Sequence, residues 1–113
     1  MTKQADVVVI GGGITGTAIL YELAKYDIKA VLVEEEPELA AGTTKANSAI
    51  LHAGFDAPTG SMKAKMNVEG NAMYHDLKDQ LDLDILWSGS YVAALDDEQV
   101  EVLQELLERG NAN

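Results

Sequence analysis

The residues with the clearest chemical meaning form a glycine turn. Gly11, Gly13 and Gly16 stand at GxGxxG spacing, after an apolar run and at the start of an amphipathic segment. Gly11 would let the chain leave a strand in a tight turn, Gly13 would admit a pyrophosphate, and Gly16 would let a helix pack on that strand. The free amides near Ile14 and Thr15, at the positive end of the helix dipole, would face the phosphates.

A glutamate completes the pattern at the end of a second apolar run. Glu34 stands where a carboxylate can accept hydrogen bonds from both hydroxyls of an adenosine ribose. Glu35 could also approach the adenosine. The negative charge disfavours NADP, since a 2′-phosphate would meet a carboxylate where an arginine is wanted. Glu34 does not distinguish a site for NAD from a site for FAD.

These residues need a strand, a helix and a second strand to position them. Val7–Ile10 and Ala30–Val33 are short β-branched runs, typical of strands buried in a parallel sheet. The segment between them carries apolar residues at helical spacing. The sequence therefore predicts an α/β fold with a Rossmann-like βαβ unit. The alternative is a glycine-rich turn without a ligand, and the matching separations of all the parts disfavour it.

The stretch Gly42–Asp56, GTTKANSAILHAGFD, resembles the FAD-dependent oxidoreductases of the D-amino-acid oxidase superfamily. The likeness is strongest to the branch of bacterial glycerol-3-phosphate dehydrogenases and L-2-hydroxyglutarate oxidases. It covers essentially the whole chain, through the GGGITG turn, the VLVEEE strand end, SMKAKMNVEGN and GSYVAAL. The resemblance implies an extended FAD and oxidation of a C–OH or C–N bond by hydride transfer to flavin N5.

The resemblance also implies further cofactor contacts. Thr43, Thr44, Asn47 and Ser48 match the stretch that passes the pyrophosphate and ribitol, where their hydroxyl and amide groups could bind. From the residues alone, they read as an ordinary polar turn with a helix cap. His52 matches a position close to the isoalloxazine ring, and its alternative is a histidine packed in the core. No catalytic residue is assigned, and His52 is not expected to be a base.

The length of 113 residues suits one small domain, whereas flavoenzymes of this superfamily are several times longer. We therefore expect residues 1–113 to be the N-terminal part of an FAD-binding domain, inactive by itself, with an incomplete βαβ unit. A small-molecule substrate would then be bound only in the complete enzyme. The rival interpretations are a fragment of an NAD-dependent dehydrogenase and a non-catalytic truncated module.

Composition excludes several other classes of function. Nineteen acidic and 8 basic residues give a net charge of −11, which opposes nucleic-acid binding. There are no cysteines, and no histidine spacing indicates a metal site. No run of residues suits a transmembrane segment or a signal peptide, so a cytoplasmic protein is expected. Open sheet edges predict that the chain self-associates.

The remaining sequence predicts a helix and short antiparallel strands, followed by a final helix. Residues 61–81 should form the first helix, with a methionine stripe packed in the core. Residues 84–95 should form the two strands, with Trp87 and Tyr91 buried. Asp96 or Asp97 should cap the final helix, which should end before Gly110. One helical turn is expected at residues 37–41, and either a strand or a helix start at residues 49–51.

Overall fold

The computed structural model describes residues 4–113, so the expected domain range of 1–113 begins outside the described residues. The chain divides into two compact units, Met1–Ala49 and Ile50–Asn113. The described elements, in chain order, are β1 (Val7–Ile10), α1 (Ile14–Leu23), β2 (Ala30–Val33), a 3₁₀ turn (Thr43–Lys45), α2 (Met62–Gln80) and α3 (Asp97–Ala112).

The first unit is built on two parallel strands joined by a crossover helix. Val7 pairs with Ala30 and Ile10 with Val33, and α1 packs against both strands. The chain turns from β1 at Gly11, whose φ of +102° suits a glycine. The Gly11 amide donates to the carbonyl of Val33 at 2.8 Å, which extends the pairing beyond the strands. The predicted βαβ unit and both strand ranges are confirmed.

One face of this sheet is uncovered. Val8, Ile10, Val31 and Val33 alternate along the paired strands and are all exposed, Ile10 most of all at 87%. Within residues 4–113 the sheet has only these two strands. On the opposite face Val9 is buried beneath the start of α1.

The second unit packs a turn at residues 54–60 against the ends of two helices. Ser61 caps α2, since its hydroxyl accepts from the Ala64 amide at 3.1 Å. Ala57 and Ala64 are buried there. Asn113 donates its side-chain amide to the carbonyls of Gly54 and Ala57, at 2.8 and 2.9 Å. The predicted helix over residues 61–81 is confirmed, to within one residue at each end.

The final helix begins as predicted but ends later. Asp96 is the cap, because its carboxylate accepts from the Gln99 amide at 2.9 Å. The prediction that the helix ends before Gly110 is wrong, since α3 continues to Ala112. Gly110 has a packing role, because a Cβ placed there would lie 3.2 Å from the Cβ of Phe55.

The antiparallel strands predicted in residues 84–95 are absent from the described part of the chain. That segment has no regular secondary structure, since within residues 4–113 no strand lies beside it to form the hydrogen-bonded ladder that a strand needs. The expected burial of Trp87 and Tyr91 is also wrong, because they are 45% and 99% exposed.

Three further expectations from the sequence are wrong. Residues 37–41 form bends and a turn, and helical structure begins only at Thr43. The methionine stripe of α2 does not pack in a core, because Met62, Met66 and Met73 are all at least half exposed. Residues 49–51 form neither a strand nor a helix start. Ala49 instead has a φ of +53°.

Candidate functional site

The centre of the candidate site is the carboxylate of Glu34, at the C-terminal end of β2. Its Oε2 accepts a hydrogen bond from the Gly12 amide at 2.5 Å. Its Oε1 accepts from the amides of Glu35 at 2.8 Å and Glu36 at 3.0 Å. Three backbone donors from two segments therefore fix this half-buried side chain beside the glycine turn.

The same hydrogen bonds also favour the ionised form of the Glu34 carboxyl. Hydrogen bonds from the amide of Glu36 and then from that of Gly12 hold the pKa of the Glu34 carboxyl below its ordinary value of 4.5. Desolvation opposes them, and the Glu35 amide adds the smallest lowering effect. The group is therefore ionised near neutral pH. An ionised carboxylate only accepts hydrogen bonds, so it suits hydroxyl donors.

Gly12 is a site residue that the sequence interpretation missed. It is buried, and a Cβ there would lie 2.9 Å from Glu34 Oε2 and 2.6 Å from Leu39 Cδ2. Its carbonyl accepts from the Ala40 amide at 2.9 Å. The signal was the middle glycine of GGG, which GxGxxG spacing does not use and which is needed for close approach of the carboxylate.

Thr44 and the N-terminus of α1 form the second part of the site. Gly13 is the N-cap and has no side chain to cap the helix. The Thr44 hydroxyl takes this role, since its Oγ1 accepts from the Ile14 amide at 2.9 Å. A Cβ on Gly13 would lie 3.1 Å from the same oxygen. The expectation that the Ile14 amide is free is therefore wrong.

The other predicted residues of the turn also lie at the start of α1. Gly16 packs against Gly11, because a Cβ on Gly16 would lie 1.9 Å from the Gly11 carbonyl oxygen. Thr15 is exposed in the first turn of α1, where amides lack an intrahelical partner. The structure thus brings Gly11, Gly13 and Gly16 together as the spacing predicts.

The predicted residues after Gly42 divide into two groups. Asn47 braces its own loop, because its side chain donates to the Thr44 carbonyl and accepts from the Ala49 amide at 2.6 Å. Thr43 and Ser48 are exposed. The Glu35 side chain is also exposed. Glu35 contacts the site through its backbone amide, which donates a hydrogen bond to the Glu34 carboxylate. The contacts of these four residues with a cofactor stay a prediction.

His52 lies in the second unit, and its described contacts are with residues of that unit. It is exposed, so the alternative of a histidine packed in the core is wrong. Its carbonyl accepts from the side chain of Asn71 at 3.3 Å. Asp56 lies nearby, and the pKa of its carboxyl is lowered first by the hydrogen bond from Lys63 and last by the charge of His52.

Two features are absent from the described part of the chain. Over residues 4–113, no group of three or more histidine, cysteine or acidic side chains is placed to hold a metal ion. In the same range, no helix is both long enough and apolar enough to cross a bilayer.

The comparison with known families agrees with the geometry of the glycine turn and Glu34. Residues 6–113 match the DAO family model, described as FAD dependent oxidoreductase. The chain belongs to this family. The cofactor and the class of chemistry named by the family, FAD and oxidation–reduction, are those that the sequence predicts.

Three relatives show which members the chain is similar to. It is 44% identical to glycerol 3-phosphate dehydrogenase of Caloramator mitchellensis, over 96% of this chain and 22% of that protein. It is 36% identical to mitochondrial L-2-hydroxyglutarate dehydrogenase of Caenorhabditis elegans, over 96% and 25%. It is 33% identical to glycerol 3-phosphate oxidase of Mycoplasma genitalium, over 98% and 29%. The chain thus spans about a quarter of the length of these relatives.

A solved structure has a similar fold. The dithionite-reduced L-α-glycerophosphate oxidase of Mycoplasma pneumoniae, solved with FAD bound, matches with a TM-score of 0.81 and 30% identity. The match covers 98% of this chain and 29% of that protein. The βαβ unit of the first unit is therefore a partial Rossmann-like FAD-binding fold.

Proposed function

We propose that the first unit binds the ADP half of FAD within an oxidoreductase that oxidises a small hydroxy acid or a polyol phosphate. The observation that carries this proposal is the ionised Glu34 carboxylate, fixed against the Gly12 amide at the end of β2. The family supports the cofactor, and the names of the relatives support the substrate class. Glycerol 3-phosphate is the first substrate to test, because the most similar of these three relatives is named for it.

The residues present fit the ADP half of this cofactor. The glycine turn leaves the start of α1 open, where no Cβ on Gly13 obstructs approach to Thr44 and the Ile14 amide. Glu34 would hold the ribose, while the exposed amide end at Thr15 would face the pyrophosphate. Thr44 keeps its hydroxyl proton free to donate to a phosphate oxygen, because its oxygen is the acceptor from Ile14.

The bound flavin would supply the acceptor for a hydride from the substrate carbon. The described residues of this chain bind and orient the cofactor rather than react. Contacts of Thr43 and Ser48 with the pyrophosphate, and of His52 with the flavin, are part of the proposal. A cytoplasmic location stays a prediction.

The proposal is tested by titrating FAD into the purified chain and into two variants. Glu34→Ala should weaken FAD binding about 10-fold or more, because it removes an acceptor that is charged and already fixed. Glu38→Ala is the matched control, since it removes the same charge from an exposed position four residues later. Equal affinities for the wild type and Glu34→Ala would remove Glu34 from the site.

A further inference from the structure

The turn at residues 54–57 is contacted by side chains from both helices of the second unit. Asn113, the C-cap of α3, donates its side-chain amide to the carbonyls of Gly54 and Ala57, at 2.8 and 2.9 Å. Asn67 of α2 also lies against Gly54, because a Cβ placed on this glycine would be 3.6 Å from the Cβ of Asn67. The two asparagines therefore approach one buried residue of the turn from two different helices.

Three polar side-chain atoms around this turn are buried and have no hydrogen-bond partner among residues 4–113. They are Asn67 Nδ2, Asn113 Oδ1 and Asp56 Oδ1. The Asn113 amide cannot rotate to pair its oxygen elsewhere, because its nitrogen is held by the two carbonyls of the turn. The Asp56 carboxylate is likewise held, since its Oδ2 accepts from Lys63 at 3.1 Å. A buried polar atom without a partner is costly, so these three atoms require one.

We propose that the second unit binds a buried water molecule at this turn, which accepts a hydrogen bond from Asn67 Nδ2 and donates hydrogen bonds to Asn113 Oδ1 and Asp56 Oδ1. The three atoms select water over other small ligands, because one of them is a donor and two are acceptors. A cation offers no lone pair to the donor, and a simple anion such as chloride offers no proton to the acceptors. Water provides both, and buried waters in proteins typically make about three hydrogen bonds.

Such a water would matter to the second unit because few apolar side chains hold this unit together. In the described part of the unit, Ala57 and Ala64 are the buried apolar residues. Polar contacts join the turn to the helices instead, and the water would extend them by linking α2 to α3 through Asn67 and Asn113. The site does not depend on the proposed function, and its test needs no FAD.

The test is water–protein NMR spectroscopy of the purified chain, under conditions where side-chain amide hydrogens exchange slowly. The side-chain amide hydrogens of Asn67 and Asn113 should show cross-peaks to water whose sign differs between laboratory-frame and rotating-frame spectra. This difference indicates a water that stays bound for longer than surface water does. Proton exchange gives cross-peaks of the same sign in both spectra.

Asn67→Leu keeps the branched shape of asparagine but turns a methyl group toward the water, so the cross-peak at Asn113 should disappear. Asn111→Leu is the matched control, because it makes the same change at an exposed position of α3 and should retain the cross-peak. Wild-type cross-peaks that are absent, or that have the same sign in both spectra, would overturn the inference. Full retention at Asn113 in Asn67→Leu would overturn it too. If Asn67→Leu fails to fold, the wild-type spectra decide alone.

Discussion

The amide of Gly12 donates to the carboxylate of Glu34, a residue 22 positions later in the chain. This bond joins the turn after β1 to the end of β2, so the acidic residue and the glycine turn are one structural unit. A glycine is needed at position 12 because any side chain there would meet the carboxylate. The bond explains how the carboxylate proposed to bind the ribose is held in place before a ligand arrives.

Acidification should disrupt the contact between the Glu34 carboxylate and the backbone amides that hold it. The pKa of Glu34 is lowered in the folded chain, so its contribution to stability is fully present above the ordinary value of 4.5. The contribution is lost as the pH falls through the lower folded-state pKa. A site-resolved NMR titration should therefore show Glu34 taking up its proton at a lower pH than it does in the urea-unfolded chain.

A site-resolved method is needed because Asp56 also has a lowered pKa, caused chiefly by Lys63. A global acid-unfolding curve would combine the two carboxyls, which shift in the same direction. If Glu34 titrates at the same pH in the folded and unfolded chain, the three hydrogen bonds from backbone amides to its carboxylate do not persist in solution.

Gly16→Ala should destabilise the first unit strongly. The added Cβ would lie 1.9 Å from the Gly11 carbonyl oxygen, so α1 would have to move away from β1. We expect a loss of about 3 kcal/mol or more in the free energy of unfolding, measured with urea. Gly70→Ala is the control, because this glycine lies in α2 with no atom near the new Cβ. It should gain about 0.5–1 kcal/mol from helix propensity. Destabilisation by both changes would argue against close packing at Gly16.

Thr44→Val should uncap α1. The valine has the shape of threonine but no acceptor for the Ile14 amide, and Gly13 cannot replace it. Hydrogen exchange at Ile14 should accelerate, and stability should fall by about 1 kcal/mol, the usual size of a lost cap. Thr44→Ser keeps the hydroxyl and should retain the protection. Unchanged exchange at Ile14 in Thr44→Val would contradict this contact.

His75 should report on the segment after α2. Its ring stacks on that of Trp87, the only tryptophan in the chain, with centroids 4.3 Å apart and planes 3° apart. In His75→Ala the indole should become more exposed than its present 45%, so its fluorescence should shift to longer wavelength. Asp76→Ala, at an exposed neighbouring position on α2, should leave the emission unchanged. An unchanged spectrum in His75→Ala would mean that the stack is not formed in solution.

The purified chain should self-associate through its uncovered sheet face. Val8, Ile10, Val31 and Val33 expose adjacent aliphatic surface, and such patches favour association. Sedimentation velocity should show larger species as the concentration rises, and Val8→Lys should reduce them. Glu38→Lys, on an exposed residue outside the strands, should not. A concentration-independent monomer would contradict the prediction.

The sequence was most informative where a local pattern determines its own structure. The β-branched runs at Val7–Ile10 and Ala30–Val33 and the cap at Asp96 each need only nearby residues, and all three are confirmed. The glycine spacing likewise placed Gly16 against β1. The position of Glu34 at a strand end marked it as a candidate site residue. The backbone amides that donate to its carboxylate were not predicted.

The failures concern partners that a single sequence does not reveal. The run containing Trp87 and Tyr91 has strand propensity, but among residues 4–113 no strand lies beside it, so it forms no strand and both side chains are exposed. The methionine stripe has helical spacing, which fixes one face of α2 but not what covers that face. A glycine at position 110 suggested the end of a helix. In the structure it allows close packing on Phe55, a residue distant in sequence.

The most direct test of the account is an absorbance spectrum of the purified chain, recorded before and after adding FAD and removing the excess by desalting. The account predicts that the near-ultraviolet and visible bands of flavin stay with the protein and are largely lost in Glu34→Ala. Retention by Glu34→Ala and the wild type alike would contradict the role of Glu34. No retained flavin in the wild type, together with no FAD binding in solution titrations, would contradict a preformed ADP site in this chain.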